Sequence, residues 1–149
     1  MKKLILLLSI TLGLLTSCNS KKAVVASGSQ SLEGNWELNY ISGPRIAFEG
    51  LYPNEKPNIT FNINENLVMG KNSCNNYTGT FKVEGSKISF DEKGMASTKM
   101  FCEGGGESTY MNTLAKINGY SISEDGKVLT LLTGDIAMMR FERKYAVMN

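Results

Sequence analysis

The sequence predicts an α+β domain, a mostly antiparallel β-meander curled into a partial barrel around one amphipathic helix. Three observations carry this expectation. Apolar residues recur with period two through most of residues 32–144, the signature of half-buried strands. Glycine-containing turns separate those runs at short intervals. One stretch, Glu107 to Ile117, abandons the period and spaces Tyr110, Met111, Leu114 and Ile117 as a helix does.

The strands follow in order. Trp36, Leu38 and Tyr40 alternate after Gly34, and Ile59, Phe61 and Ile63 alternate after Pro57-Asn58. Leu67 to Cys74 and Tyr77 to Val83 read as two strands joined at Asn75-Asn76, with Tyr77, Gly79, Phe81 and Val83 on one face. Glu84-Gly85-Ser86 is a tight turn, and Ile88 and Phe90 continue the pattern. Gly104-Gly105-Gly106 precedes the helix as a flexible lead, and Asn118-Gly119 follows it as a glycine stop. Tyr120 and Ile122 form another strand. The Asp125-Gly126 turn, where glycine supplies positive φ, leads to Val128–Leu132, and Gly134-Asp135 leads to Ile136–Arg143. A sheet of such short strands buries a core if it curls around the helix.

The first residues have a different character. Lys2 and Lys3 precede an apolar run from Leu4 to Leu15, then the small residues Thr16 and Ser17, then Cys18. This is the layout of a secretory signal, and the run is shorter than the ~20 apolar residues of a membrane span. Leu15-Thr16-Ser17-Cys18 looks like a bacterial lipobox. The expectation is cleavage of residues 1–17 and lipidation of Cys18, with several acyl chains giving firm attachment. Residues 18–31 would form the lipidated cysteine and a flexible tether, spanning roughly 20 Å root-mean-square. Residues 32–144 form one domain and 145–149 a tail. Asn19 follows the cysteine, and outer-membrane attachment facing the periplasm is the expected location. Removing residues 1–17 takes away two lysines and no acid, leaving 14 basic and 14 acidic residues of the original 16 and 14. No basic field remains to recruit nucleic acid.

Cys74 and Cys102 are left over in a disulfide-permitting compartment, so a bridge is expected. It would close a loop of 29 residues, worth at most about 3.6 kcal/mol by loop entropy. The chain has no histidine. That removes the commonest general base, the commonest transition-metal ligand, and Ser-His or Cys-His nucleophiles. No Cys-x-x-Cys pair is present, so zinc is not expected, and no cofactor is implied. Met95, Met100 and Cys102 offer soft sulfur that would suit Cu(I), although methionine more commonly fills core gaps.

Two segments stand out as candidate contact sites. The run Lys71 to Asn76 is dense in polar side chains, and Asn72, Asn75 and Tyr77 could recognise a partner there, or form Asx turns. The loop Gly43 to Pro57 carries Arg45, Phe48, Leu51 and Tyr52, more apolar than a plain loop needs; they mark a contact site or cover one end of the barrel.

Four stretches then line up. Leu32-x-Gly34-x-Trp36-x-Leu38 opens the domain. Gly70 is followed by Cys74-Asn75-x-Tyr77-x-Gly79-x-Phe81, and later come Met95-Ala96-Ser97-Thr98-Lys99-Met100-x-Cys102. Leu129-Thr130-Leu131 and Arg140-Phe141-Glu142-Arg143 close the domain. Together they resemble the META domain of the HslJ-like heat-shock lipoprotein family. Ser73 departs from the family pattern, which usually has glycine before the cysteine. The resemblance implies a small α+β fold, often lipid-anchored or periplasmic, linked with stress responses, secretion and motility, without established catalytic residues or cofactor.

The expected function is therefore a monomeric, lipid-anchored, non-catalytic envelope module that meets the membrane through Cys18 and binds an envelope protein or peptide. The alternative is a small-ligand or Cu(I)-binding barrel.

Overall fold

The computed structural model describes residues 32–145 apart from Glu92. The expected signal, Cys18 and the expected tether, as well as residues 146–149 of the tail, lie outside the described residues. Among the described residues the alternating pattern becomes nine strands: β1 (Gly34–Ile41), β2 (Asn58–Asn62), β3 (Leu67–Lys71), β4 (Asn76–Glu84), β5 (Lys87–Phe90), β6 (Ala96–Ser97), β7 (Gly119–Ile122), β8 (Val128–Thr133) and β9 (Ile136–Lys144). Two helices accompany them, α1 (Phe48–Leu51) and α2 (Gly106–Leu114), with a 3-10 turn at Glu103–Gly105 leading into α2.

Eight strands close a barrel in the order β1-β2-β3-β4-β5-β7-β8-β9, with β9 returning to β1 and every pairing antiparallel. The expected partial barrel is thus a closed one. Closure is narrowest between β5 and β7, which pair at Lys87 and Gly119. The ninth strand, β6, lies outside this circuit and pairs with Tyr77 and Thr78 of β4.

The inward face is apolar. Trp36, Leu38, Ile59, Phe61, Val68, Leu129, Leu131, Met139 and Phe141 are fully buried, and α2 inserts Tyr110 and Leu114 among them. Phe61 meets Phe81 edge-on at 5.1 Å, and Tyr110 meets Phe141 at 6.5 Å, geometries that aromatic quadrupoles favour. Trp36 donates its indole N–H to the Leu32 carbonyl at 2.9 Å. The Arg143 guanidinium lies 3.9 Å over the Trp36 ring and donates to the carbonyls of Glu33 and Gly126. That ties the last strand to the first.

Several elements differ from the sequence expectation for identifiable reasons. The alternation Trp36-Leu38-Tyr40 breaks at a register shift against β9 between Leu38 and Tyr40. Ile41 consequently turns inwards, while Tyr40 stands out beside Arg140, whose guanidinium is 5.5 Å from the ring centroid. Strand β3 ends at Lys71, because Asn72–Asn75 form a turn closed by Asn72 N–H donating to the Asn75 carbonyl at 3.0 Å. Helix α2 stops at Leu114, one turn before Ile117. Gly119 is not its stop signal; it opens β7 opposite Leu132. Strand β6 and helix α1 have no counterpart in the sequence reading. The turn glycines behave as expected, with φ of 60° at Gly85, 70° at Gly126 and 58° at Gly134.

Two further glycines are explained by close approach. A Cβ on Gly70 would lie 2.2 Å from the Asn58 carbonyl oxygen, and one on Gly79 would lie 2.0 Å from the Met95 sulfur. The obstacles differ. The Asn58 carbonyl is backbone and accepts from the buried Tyr77 hydroxyl at 3.1 Å, whereas Met95 is a flexible thioether. Gly70→Ala is therefore expected to cost about 2–4 kcal/mol and Gly79→Ala about 1–2 kcal/mol. Urea denaturation measures both, and equal costs would contradict this account of the two contacts.

Candidate functional site

The turn before β4 and the segment Thr98–Cys102 are joined by one side chain and one covalent bond. Asn75 Oδ1 accepts from the Met100 backbone N–H at 2.7 Å and from the Thr98 hydroxyl at 2.8 Å. Its Nδ2 donates to the Met100 carbonyl at 2.9 Å. Cys74 and Cys102 are bonded, with Cα atoms 5.5 Å apart, inside the range a disulfide spans. Strand β6 enters the same arrangement. Thr98 N–H donates to the Asn76 carbonyl at 3.0 Å, and Asn76 N–H donates to the Thr98 hydroxyl at 3.1 Å. Ser73 adopts φ of 154°, on the side of the Ramachandran map that favours glycine.

Beneath this clamp lies a pair of buried phenols. The hydroxyls of Tyr77 and Tyr110 are 2.8 Å apart, both within reach of the Asn58 carbonyl. Burial pushes both phenols far above the ordinary tyrosine range. They remain neutral hydrogen-bonding groups at any physiological pH and are not poised as bases.

Beside the clamp, between β6 and the start of α2, is an open cleft of about 250 Å³. Asn72, Ser97, Lys99, Met100, Glu107 and Met111 line it. Two of the lining residues each carry a buried side-chain oxygen without a hydrogen-bond partner, Asn72 Oδ1 and Glu107 Oε2. An unmet buried acceptor costs about 1–3 kcal/mol. A second cleft of about 230 Å³ is lined by Phe90, Met95, Met111 and Leu114.

The sequence profile of the META domain matches residues 30–146. The chain belongs to the META domain family. A search of curated proteins found no match. Three solved structures share the fold. An NMR structure of a protein from Burkholderia xenovorans is 23% identical with a TM-score of 0.59, covering 78% of this chain and 86% of that one. A second NMR structure is 21% identical with a TM-score of 0.56, covering 80% and 96%. A crystal structure of a DUF4847 family protein from Bacteroides vulgatus is 16% identical with a TM-score of 0.51, covering 76% and 94%.

The clamp gives the residues of this META domain their physical roles. The stretches Gly70–Phe81 and Met95–Cys102 are two halves of one device. Cys74 bonds Cys102, Asn75 grips Thr98 and Met100, Tyr77 supports the floor, and Gly79 admits Met95. Ser97 donates its hydroxyl to a neighbouring carbonyl and accepts from Asn72 Nδ2 at 3.3 Å.

The candidate contact residues fall into two groups. Asn72, Asn75 and Tyr77 are buried, and Asn75 and Tyr77 direct their hydrogen bonds to other parts of the chain. In the 43–57 segment, Tyr52 is buried, Phe48 is half-buried against it at 5.1 Å between ring centroids, and Arg45 is exposed. Tyr52 donates its hydroxyl to the Gly106 carbonyl at 3.2 Å. Burial, then the nearby Glu107 charge, raises its pKa well above the usual value. Two of the three glycines at the entry to α2, Gly104 and Gly106, are packed against this segment instead of forming a flexible lead. A Cβ on Gly106 would lie 2.2 Å from Tyr52 Cε1, and one on Gly104 would lie 2.5 Å from the Gly50 carbonyl oxygen.

Two features escaped the sequence reading. Phe101 is 94% exposed and Met100 58% exposed, on the segment that the clamp holds still. The cleft also went unread, since its unpartnered acceptors lie 35 positions apart, at Asn72 and Glu107. No group of three or more His, Cys, Asp or Glu residues able to hold a metal occurs among the described residues. With both cysteines bridged, soft-metal binding would rest on methionine thioethers alone.

Asn75→Ala strands the Met100 N–H and carbonyl and is expected to cost about 2–4 kcal/mol. Replacing Cys74 and Cys102 by serine is expected to cost about 3–4 kcal/mol. Because both changes free the same segment, the triple variant should lose measurably less than the sum. Denaturation of the four proteins tests this, and simple additivity would separate the two restraints.

Proposed function

We propose that this protein is a lipid-anchored, non-catalytic module of the cell envelope that binds a protein or peptide, within the envelope- and stress-related range that META membership supports. The observation that carries the reading is the exposed Met100-Phe101 pair. A phenylalanine 94% exposed to water serves no core, and the disulfide and Asn75 hold its backbone in place. A pre-ordered aromatic loses little freedom on binding, the property of an interface anchor. Lys2-Lys3, the apolar run and Cys18 support export and lipid attachment, and Asn19 after the cysteine favours the outer membrane, facing the periplasm. The absence of histidine from the whole chain favours binding over catalysis.

A second reading has its own observation. The cleft of about 230 Å³ lined by Phe90, Met95, Met111 and Leu114 has the apolar and thioether lining that a small hydrophobic ligand or Cu(I) would use.

The test is made in intact envelopes. Wild-type protein should fractionate with membranes and the Cys18→Ser variant should not. A photoreactive amino acid at position 101 should give a discrete adduct that is absent when the same probe replaces exposed Asp135 in the β8–β9 turn. Matching adduct patterns from both positions, or none from position 101, would rule out the interaction reading.

A further inference from the structure

The cleft beside the clamp carries a recognition requirement of its own. Asn72 is 2% exposed, and its Nδ2 donates to Ser97 Oγ at 3.3 Å. The single Ser97 hydroxyl proton is directed at the carbonyls of Asn76 and Thr98, each 3.1 Å away. Ser97 therefore acts as acceptor for Asn72, and Asn72 Oδ1 is turned away from it without a partner. Glu107 Oε2 is likewise without a hydrogen bond, and no ion pair reaches Glu107 among the described residues. Both residues line the same cleft of about 250 Å³. One neutral and one anionic acceptor, neither taking a hydrogen bond from the described residues, match a donor-rich cation.

We propose that this cleft binds a primary alkylammonium, the end of a lysine side chain presented by the partner, with Glu107 and Asn72 accepting its N–H groups. An ammonium carries three donors and no acceptor, so it matches both oxygens and the charge of one. A hard metal ion would need about six oxygen ligands, more than this lining offers. Water could meet the hydrogen bonds but would leave the carboxylate unneutralised. The thioethers of Met100 and Met111 give the aliphatic stem an apolar wall, the usual lie of a lysine whose head is held elsewhere. Both oxygens are shielded from bulk water, so entry requires these unbranched, adaptable side chains to shift. Lys99 also lines the cleft with an exposed side chain, and its like charge opposes entry of a cation there.

The proposal rests on the reading of the domain as an interaction module. The experiment is an NMR titration of the full-length protein in non-ionic detergent with N-acetyl-lysine methylamide, its neutral norleucine counterpart and putrescine. The lysine compound should saturably shift the Asn72 side-chain amide and the signals of Ser97 and of Ser108, which also lines the cleft, and the norleucine compound should not. Glu107→Gln should weaken binding about tenfold or more. Lys99→Gln should bind at least as tightly as wild type. Putrescine binding more tightly than the lysine compound would keep the ammonium chemistry and assign it to a free amine. Silence at millimolar lysine compound, equal shifts with norleucine, unchanged affinity in Glu107→Gln or loss of affinity in Lys99→Gln would each overturn the proposal. A silent titration with the position-101 adduct intact would remove the cleft and leave the interaction module standing.

Discussion

The buried amide of Asn75 is the constraint on which this end of the molecule depends. One side chain satisfies the Met100 N–H, the Met100 carbonyl and the Thr98 hydroxyl. It thereby fixes a segment with little apolar burial of its own. The exposed faces of Met100 and Phe101 offer no hydrophobic reason for the chain to stay there. The adjacent disulfide restricts the unfolded chain and brings the same segments together covalently. The amide specifies the conformation, while the bridge limits how far the segment can depart from it. Two restraints on one short stretch leave an apolar pair in water yet in a defined position, and that combination is the basis for reading a contact surface.

The barrel supplies the floor under this arrangement. Tyr77 comes from β4 and Tyr110 from α2, and their hydroxyls converge near the first carbonyl of β2. That carbonyl also leaves no room for a side chain at Gly70 on the neighbouring strand. A position on the sheet, a helix face and a glycine are therefore coupled through one backbone oxygen. Such a fully used polar cluster inside an apolar core favours one arrangement over its near alternatives. The cleft beside it is the contrasting case, with two acceptors left unpaired close to satisfied ones.

Much of the fold was legible because burial imposes period two on strands that face water on one side. Ile59-Phe61, Tyr77-Gly79-Phe81 and Leu129-Leu131 alternate as the barrel requires. Asp125-Gly126 and Gly134 carry their turns in the residue type itself. The bulge after Leu38 was not legible, since it depends on the register of β9, roughly a hundred residues away. Strand β6 was hidden because two exposed residues have no pattern, and only the pairing with β4 defines them. The polar run Lys71 to Asn76 offered a recognition loop or local turns, and the structure adds a third use in Asn75, whose partners are 23 to 25 positions away. Composition marks such a cluster as special without telling whether its groups face solvent or chain. The disulfide was legible from the expected compartment and the count of cysteines, whereas the exposure of Phe101 required coordinates.

The most direct test of the clamp is hydrogen exchange at two adjacent amides of the intact, oxidised protein. The Met100 N–H is held by Asn75 Oδ1 at 2.7 Å, while its neighbour Phe101 lies 94% exposed on the same segment. The Met100 amide should exchange slowly, approaching the barrel strands, and the Phe101 amide fast. In Asn75→Ala the Met100 amide should exchange as fast as Phe101 even with the disulfide intact. Rapid exchange at Met100 in the unmodified protein, or slow exchange that survives the loss of Asn75, would contradict the claim that this amide holds the segment.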